Sequence, residues 1–144
     1  MRRTYLVTVL LLFTAGTSIA QQITVQLLDG RNGHPLKDQV VDFWFGDRAS
    51  GHPVQVTTGR NGTAVVAVPR DAQTFVAAGE FVADCRGGNK NGLTFMDSTV
   101  YAITAVVSTG VVARNSCGET TQYPIPGTLT FFVRPMHWWE KIRE

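Results

Sequence analysis

Three histidines, two cysteines and a scatter of acidic and hydroxyl side chains are the groups in this chain that could do chemistry. His34, His52 and His137 each stand beside proline or tryptophan. None falls in an H-E-x-x-H or H-x-x-E arrangement on a helix, so loop placement is expected rather than a metal centre. There is no G-x-S-x-G, and Ser50 and Ser116 lie in polar turns without a recognisable base. Cysteine catalysis needs a free thiolate beside a base, which a bond between Cys85 and Cys117 would remove. Asp29, Asp42, Asp47 and Asp84 are the carboxylates available for acid and base work, but spacing fixes no pair of them, and turns and strand faces account for them. The expectation is a chain with no catalytic residue, no metal and no cofactor.

Two further motifs reduce to turn chemistry. Asp29-Gly-Arg-Asn-Gly33 has a calcium-loop flavour but lacks acidic or amide oxygens at alternate positions through a bidentate glutamate. Asn61-Gly-Thr63 matches a glycosylation sequon, yet its Asn-Gly pair is also what a tight turn needs. The aromatic side chains are more informative. Met136-His-Trp-Trp-Glu-Lys-Ile-Arg143 carries two adjacent tryptophans, Trp138 and Trp139, which cannot both face one side of a strand. Three roles are open to this segment. It can fold back to cap an open end of the domain, or form a partner or membrane-surface patch beside Lys141 and Arg143. The third is sugar stacking, with Trp44 and Tyr123 as further candidate binding platforms.

The elements that must position these residues begin after an export signal. Arg2 and Arg3 form a positive start, Leu6 to Phe13 an apolar run, and Ser18 and Ala20 a small-residue site before Gln21. Residues 1–20 therefore read as a cleavable signal peptide, since a membrane-spanning helix needs about 20 apolar residues and this run breaks at Thr14, Gly16, Thr17 and Ser18. The remainder suits one domain with one core, residues 21–135, followed by an aromatic tail, 136–144. Two of the 13 basic residues, and none of the 11 acidic ones, belong to the signal, so 11 of each sign remain. With no basic excess and no basic cluster, nucleic acid is excluded as a partner class, and membrane contact is at most peripheral. The even cysteine count in a chain bound for an oxidising compartment favours a disulfide. Closing a loop of about 30 residues, it contributes roughly 3–4 kcal/mol in the chain-entropy model.

Ile23, Val25 and Leu27 alternate with polar residues as a strand with one buried face, and Val41, Phe43 and Phe45 share a face opposite Asp42 and Trp44. Val54 to Thr58 and Thr63 to Val68, joined by Gly59-Arg-Asn-Gly62, predict a hairpin ended by Pro69. Phe75 to Cys85 reads as two strand pieces with a bulge or bend at Gly79. Leu93 to Met96 allows one more short strand. Val100, Ile103, Val106 and Val107 recur at helical spacing, which predicts a helix over 99–109 capped by Asp97 or Ser98, with Gly110 at its C′ position. Thr128 to Arg134 is the last strand, closed by Pro135. About seven short strands at this spacing, with one short helix over an edge or end, predict an all-β, Ig-like antiparallel sandwich.

The order Gly33-His-Pro-Leu36, Val40-Val-Asp-Phe43, Thr58-Gly-Arg-Asn-Gly-Thr-Ala64 and Val66-Ala-Val-Pro69 resembles the carboxypeptidase-regulatory-like, or transthyretin-like, β-sandwich domains over about residues 22–83. In the second half, Ala83-Asp-Cys-Arg86, Thr109-Gly-Val-Val-Ala-Arg-Asn-Ser-Cys-Gly118 and Pro126-Gly-Thr-Leu-Thr-Phe-Phe-Val-Arg-Pro135 are similar to small exported proteins of acidobacterial type. That resemblance implies a Cys85–Cys117 pair and brings no activity. Domains of the sandwich family occur beside metallocarboxypeptidase catalytic domains, in outer-membrane receptors and in adhesins, and the fold is grouped with carbohydrate-binding modules. The function expected on these grounds is a periplasmic or secreted, non-catalytic binding or structural module whose partner is an envelope protein or polysaccharide. The second expectation is a carbohydrate-binding module using exposed tryptophans.

Overall fold

A computed structural model of the chain describes residues 21–46, 51–83, 85 and 99–137. The signal at 1–20, the strand expected at 93–96, and Asp47, Ser50, Asp84, Asp97, Ser98, Trp138 and Trp139 lie outside the described residues. The described elements are β1 (Gln22–Asp29), β2 (Val40–Phe45), β3 (Val54–Thr57), β4 (Thr63–Ala67), β5 (Thr74–Gly79), β6 (Phe81–Val82), β7 (Tyr101–Ala102), α1 (Ile103–Ser108), β8 (Val111–Val112) and β9 (Thr128–Pro135). Among them, no helix is long and apolar enough to cross a membrane.

The strands form a sandwich of two sheets. One has the order β4-β1-β9-β6, with β8 also lying against β9, and the other is β3-β2-β5-β7. Period-two alternation turns Ile23, Val25, Leu27, Leu129, Phe131 and Val133 inward from the first sheet. Val41, Phe43, Phe75 and Ala77 meet them from the second in one core cluster. Aromatic rings span the layers: Phe75 lies 5.7 Å from Tyr101, and Tyr101 lies 5.6 Å edge-on to Phe131 of the opposite sheet. Each such fully buried side chain contributes roughly 1.5–3 kcal/mol through area removed from water.

The all-β sandwich is as expected, but four details differ. The first concerns pairing direction. β1 and β9 run parallel, Thr24 opposite Thr128 through Asp29 opposite Val133, and β8 also runs parallel to β9, so the first sheet is mixed rather than antiparallel. The second is strand number: the described residues hold nine short strands, because two-residue strands, β7 and β8, flank the helix where the periodicity predicted none.

Third, the predicted hairpin is not one. β3 pairs with β2, and β4 pairs with β1 in the other sheet, so Gly59-Arg-Asn-Gly62 carries the chain across the sandwich. The arch forms because Val56 and the pair Ala64 and Val66 face the same interior from opposite sides. Thr58 anchors its start. This buried residue donates its hydroxyl to Leu36 O at 2.7 Å and accepts from Gln39 N at 3.0 Å. At its tip Asn61 Oδ1 accepts from Thr63 N and Thr63 Oγ1, the turn reading of the sequon.

Fourth, the helix starts later than its periodicity suggests. Tyr101 and Ala102 are spent on strand pairing opposite Phe75 and Thr74, and the residue preceding the helix, Ala102, offers no side-chain cap. Tyr101 is claimed by the aromatic packing, and β-branched residues resist helix. Ile103 and Val106 are the buried face of what remains, and Gly110 takes φ 75° at the C′ position as predicted. The bend at Gly79 also holds: β5 lies in the second sheet, whereas β6 pairs with β9 in the first.

Candidate functional site: two ends of the sandwich

The strands run between two ends of different construction. At the end where β1 finishes, the turn 29–33 is closed by Gly33 N donating to Asp29 O at 2.7 Å. Within it Asp29 Oδ1 accepts from Arg31 N, and Asn32 Oδ1 accepts from His34 N, so the calcium-like motif is a turn bonded to itself. Among the described residues, no group of three or more His, Cys, Asp or Glu gathers.

A clasp is laid over this turn. Ala113 N donates to Thr130 O on β9, and the chain then crosses β9 to reach Gly30, whose own N–H bonds to Val133 O. Asn115 organises the crossing: its amide nitrogen donates to Gly30 O at 2.7 Å and Thr120 O at 2.9 Å, and its Oδ1 accepts from Cys117 N at 2.9 Å. Ser116 bridges to the other side, accepting from Cys85 N at 3.1 Å and donating to Ala83 O at 2.9 Å. Its hydroxyl is thus committed to structure. The disulfide Cys85–Cys117, with Cα atoms 4.8 Å apart, closes the clasp. A bond of this kind fits an oxidising compartment.

The approach is close enough to require glycine. A Cβ on Gly30 would lie 2.6 Å from both Asn115 Oδ1 and Cys117 Cβ, and one on Gly118 would overlap the Gly30 carbonyl. The outer face of the first sheet is buried at this end as well. Leu28, Val82 and Phe132 occupy positions facing away from the central core, yet are only 4%, 7% and 2% exposed. Sequence reasoning placed the cysteines but missed Asn115. Its partner Gly30 is 85 residues away, and a lone Asn in a polar stretch carries no signal of that distance.

At the other end, where β1 and β9 begin, α1 closes the sandwich. Ile103 N donates to Gln73 O at 3.0 Å, and Gly127 N donates to Val106 O at 2.8 Å. Tyr123 lies on the segment that returns here from the clasp and is 89% exposed, with Ile125 50% exposed beside it. That segment is pinned on both sides. Thr120 O is held by Asn115, the Ile125 backbone packs against Gly110, and Thr128 N bonds to Ile125 O at 2.9 Å. Pro124 and Pro126 restrict it further.

Trp44, the other described aromatic candidate, is half-buried on the outward face of β2 opposite Val76. Beside it in the same strand, Asp42 accepts from Gln55 Nε2 at 2.9 Å. Trp44 and Tyr123 therefore sit on different elements, one in a strand of the second sheet and one in a loop leading into the first. Also at this end, a hollow of about 410 Å³ lies between the end of β2 and the turn into β5. This chain matches no family model, and neither a curated protein nor a solved structure is detectably similar to it.

Proposed function

We propose that this chain is a non-catalytic exported module of the cell envelope, periplasmic or secreted, that binds a protein partner through the segment carrying Tyr123 and Ile125. The reading rests chiefly on Tyr123, a large aromatic 89% exposed on a segment bonded at both ends. An aromatic with few rotatable bonds on a fixed backbone loses little entropy on binding, which is why such residues anchor interfaces. The Cys85–Cys117 bond and the signal-like residues 1–20 support export. A transthyretin-like, Ig-like family assignment is part of the same proposal. It is supported by the two-sheet architecture and by the Thr58-Gly-Arg-Asn-Gly-Thr-Ala64 arch.

The test is capture from envelope extracts by the wild-type chain and by a Tyr123→Ser, Ile125→Ser variant. A protein retained by the first and lost with the second supports the reading. An identical set of captured proteins removes the segment from it.

A further inference from the structure

We propose that the hollow at the helix end is a binding site for a neutral sugar ring. Its walls are Phe45, Pro69, Asp71, Ala72, Gln73 and Thr74. The hollow is open to solvent on one side, and its volume, about 410 Å³, lies within the roughly 300–1,000 Å³ of small-ligand sites.

The backbone around the hollow is fixed by its own bonds. Ala72 N donates to Pro69 O at 3.1 Å, Gly46 N donates to Thr74 O at 3.0 Å, and Gln73 O is taken by Ile103 N. The side chains are left out of this network. Asp71 and Gln73, both exposed, bond through their side chains to no described residue, so a carboxylate and an amide line the hollow with their capacity unspent. An aromatic side chain lines the hollow as well. Phe45 packs its core side on Phe43 and Phe75, with centroids 6.4 and 5.9 Å away, and is only half-buried, so its remaining surface lines the hollow.

This lining selects a class of ligand. The apolar contribution of Phe45, Pro69 and Ala72 suits the C–H face of a pyranose. Asp71 accepts hydrogen bonds from hydroxyls, whereas Gln73 both donates and accepts, the mixture that a ring of hydroxyls requires. An anion is disfavoured, because the one charged group in the lining is a carboxylate. The site goes beyond the protein-partner reading and does not depend on it, since Tyr123 is not among its walls.

The experiment is a two-dimensional amide NMR titration of the purified chain with methyl glucoside, methyl galactoside and N-acetylglucosamine. A single ring in an open site binds with Kd on the order of 1 mM. Saturable shifts at Phe45, Gly46 and residues 71–74 are expected with at least one of these sugars, little altered by salt. Asp71→Asn and Gln73→Ala, both exposed, should weaken that binding about tenfold and about fivefold, the equivalents of one charge-assisted and one neutral hydrogen bond. Phe45→Leu should also weaken it about tenfold, and Tyr123→Ser should leave it unchanged. The assignment is overturned if no sugar moves these amides at ~20 mM, about twenty times the expected Kd, or if neither exposed variant changes the affinity. It is overturned equally if the same amides respond to ethylammonium instead, with binding that weakens as salt rises.

Discussion

At the end of the sandwich where β1 finishes, Gly30 O, Thr120 O, Ala83 O, Cys85 N and Cys117 N are all bonded by just two side chains, Asn115 and Ser116. At the end where β1 begins, the backbone is equally well bonded, but Asp71 and Gln73 extend side chains that bond to no described residue, and Tyr123 stands almost wholly in solvent. Side chains committed to the fold cannot serve a ligand without releasing a buried group. Those left out can do so at little cost. The clasped end therefore carries stability, and the helix end carries the surfaces on which recognition is proposed.

The comparison can be broken by substitution. The largest effect is expected at the disulfide. Cys85→Ser combined with Cys117→Ser should lower unfolding free energy in urea by about 3–4 kcal/mol, from the closure entropy of a 32-residue separation. A loss below ~1 kcal/mol, well under the typical disulfide contribution of about 2–4 kcal/mol, would mean that Asn115 and Ser116 hold the clasp without it. Next, Asn115→Ala strands Gly30 O, Thr120 O and Cys117 N, and should cost about 2–3 kcal/mol by the same measurement. Amide exchange in the 29–33 turn should rise in parallel.

A smaller effect is expected where the arch leaves the second sheet. Thr58→Val keeps the shape but removes a buried hydroxyl that serves Leu36 O and Gln39 N, at a cost of about 1–2 kcal/mol. At the helix end the contrast sharpens. Tyr123→Ser and Asp71→Asn should leave the urea midpoint where it is, because both side chains are exposed and neither bonds to a described residue. A marked fall in midpoint for either would dissolve the distinction between the two ends.

Much of the fold was legible locally. Ile23, Val25 and Leu27 turned inward as their alternation required, Phe75 to Val82 broke at Gly79, and Gly110 ended the helix. The hairpin over 54–68 was misread for a physical reason. Gly59-Arg-Asn-Gly62 permits the chain to reverse, but the same turn residues serve a reversal within one sheet or a passage between two. The choice belongs to β1 and β2, which claim β4 and β3 respectively across the interior. At the candidate sites, Tyr123 was recognisable by type. The hollow was not, because Phe45 and the lining residues Pro69 and 71–74 are brought together by the pairing of β2 with β5.

By itself the sequence determined an all-β chain with a buried alternating face in most strands, one short helix, and a cysteine pair with no other thiol to choose. These follow from period, turn chemistry and count, all of which act over a few residues or over none. Only the tertiary structure decided the parallel pairing of the first strand with the last, the passage of 59–62 between sheets, and the docking of Asn115 on Gly30. Each of these joins residues far apart in the chain. Their energy comes from burying apolar surface and satisfying backbone groups together, and no single segment carries that information alone.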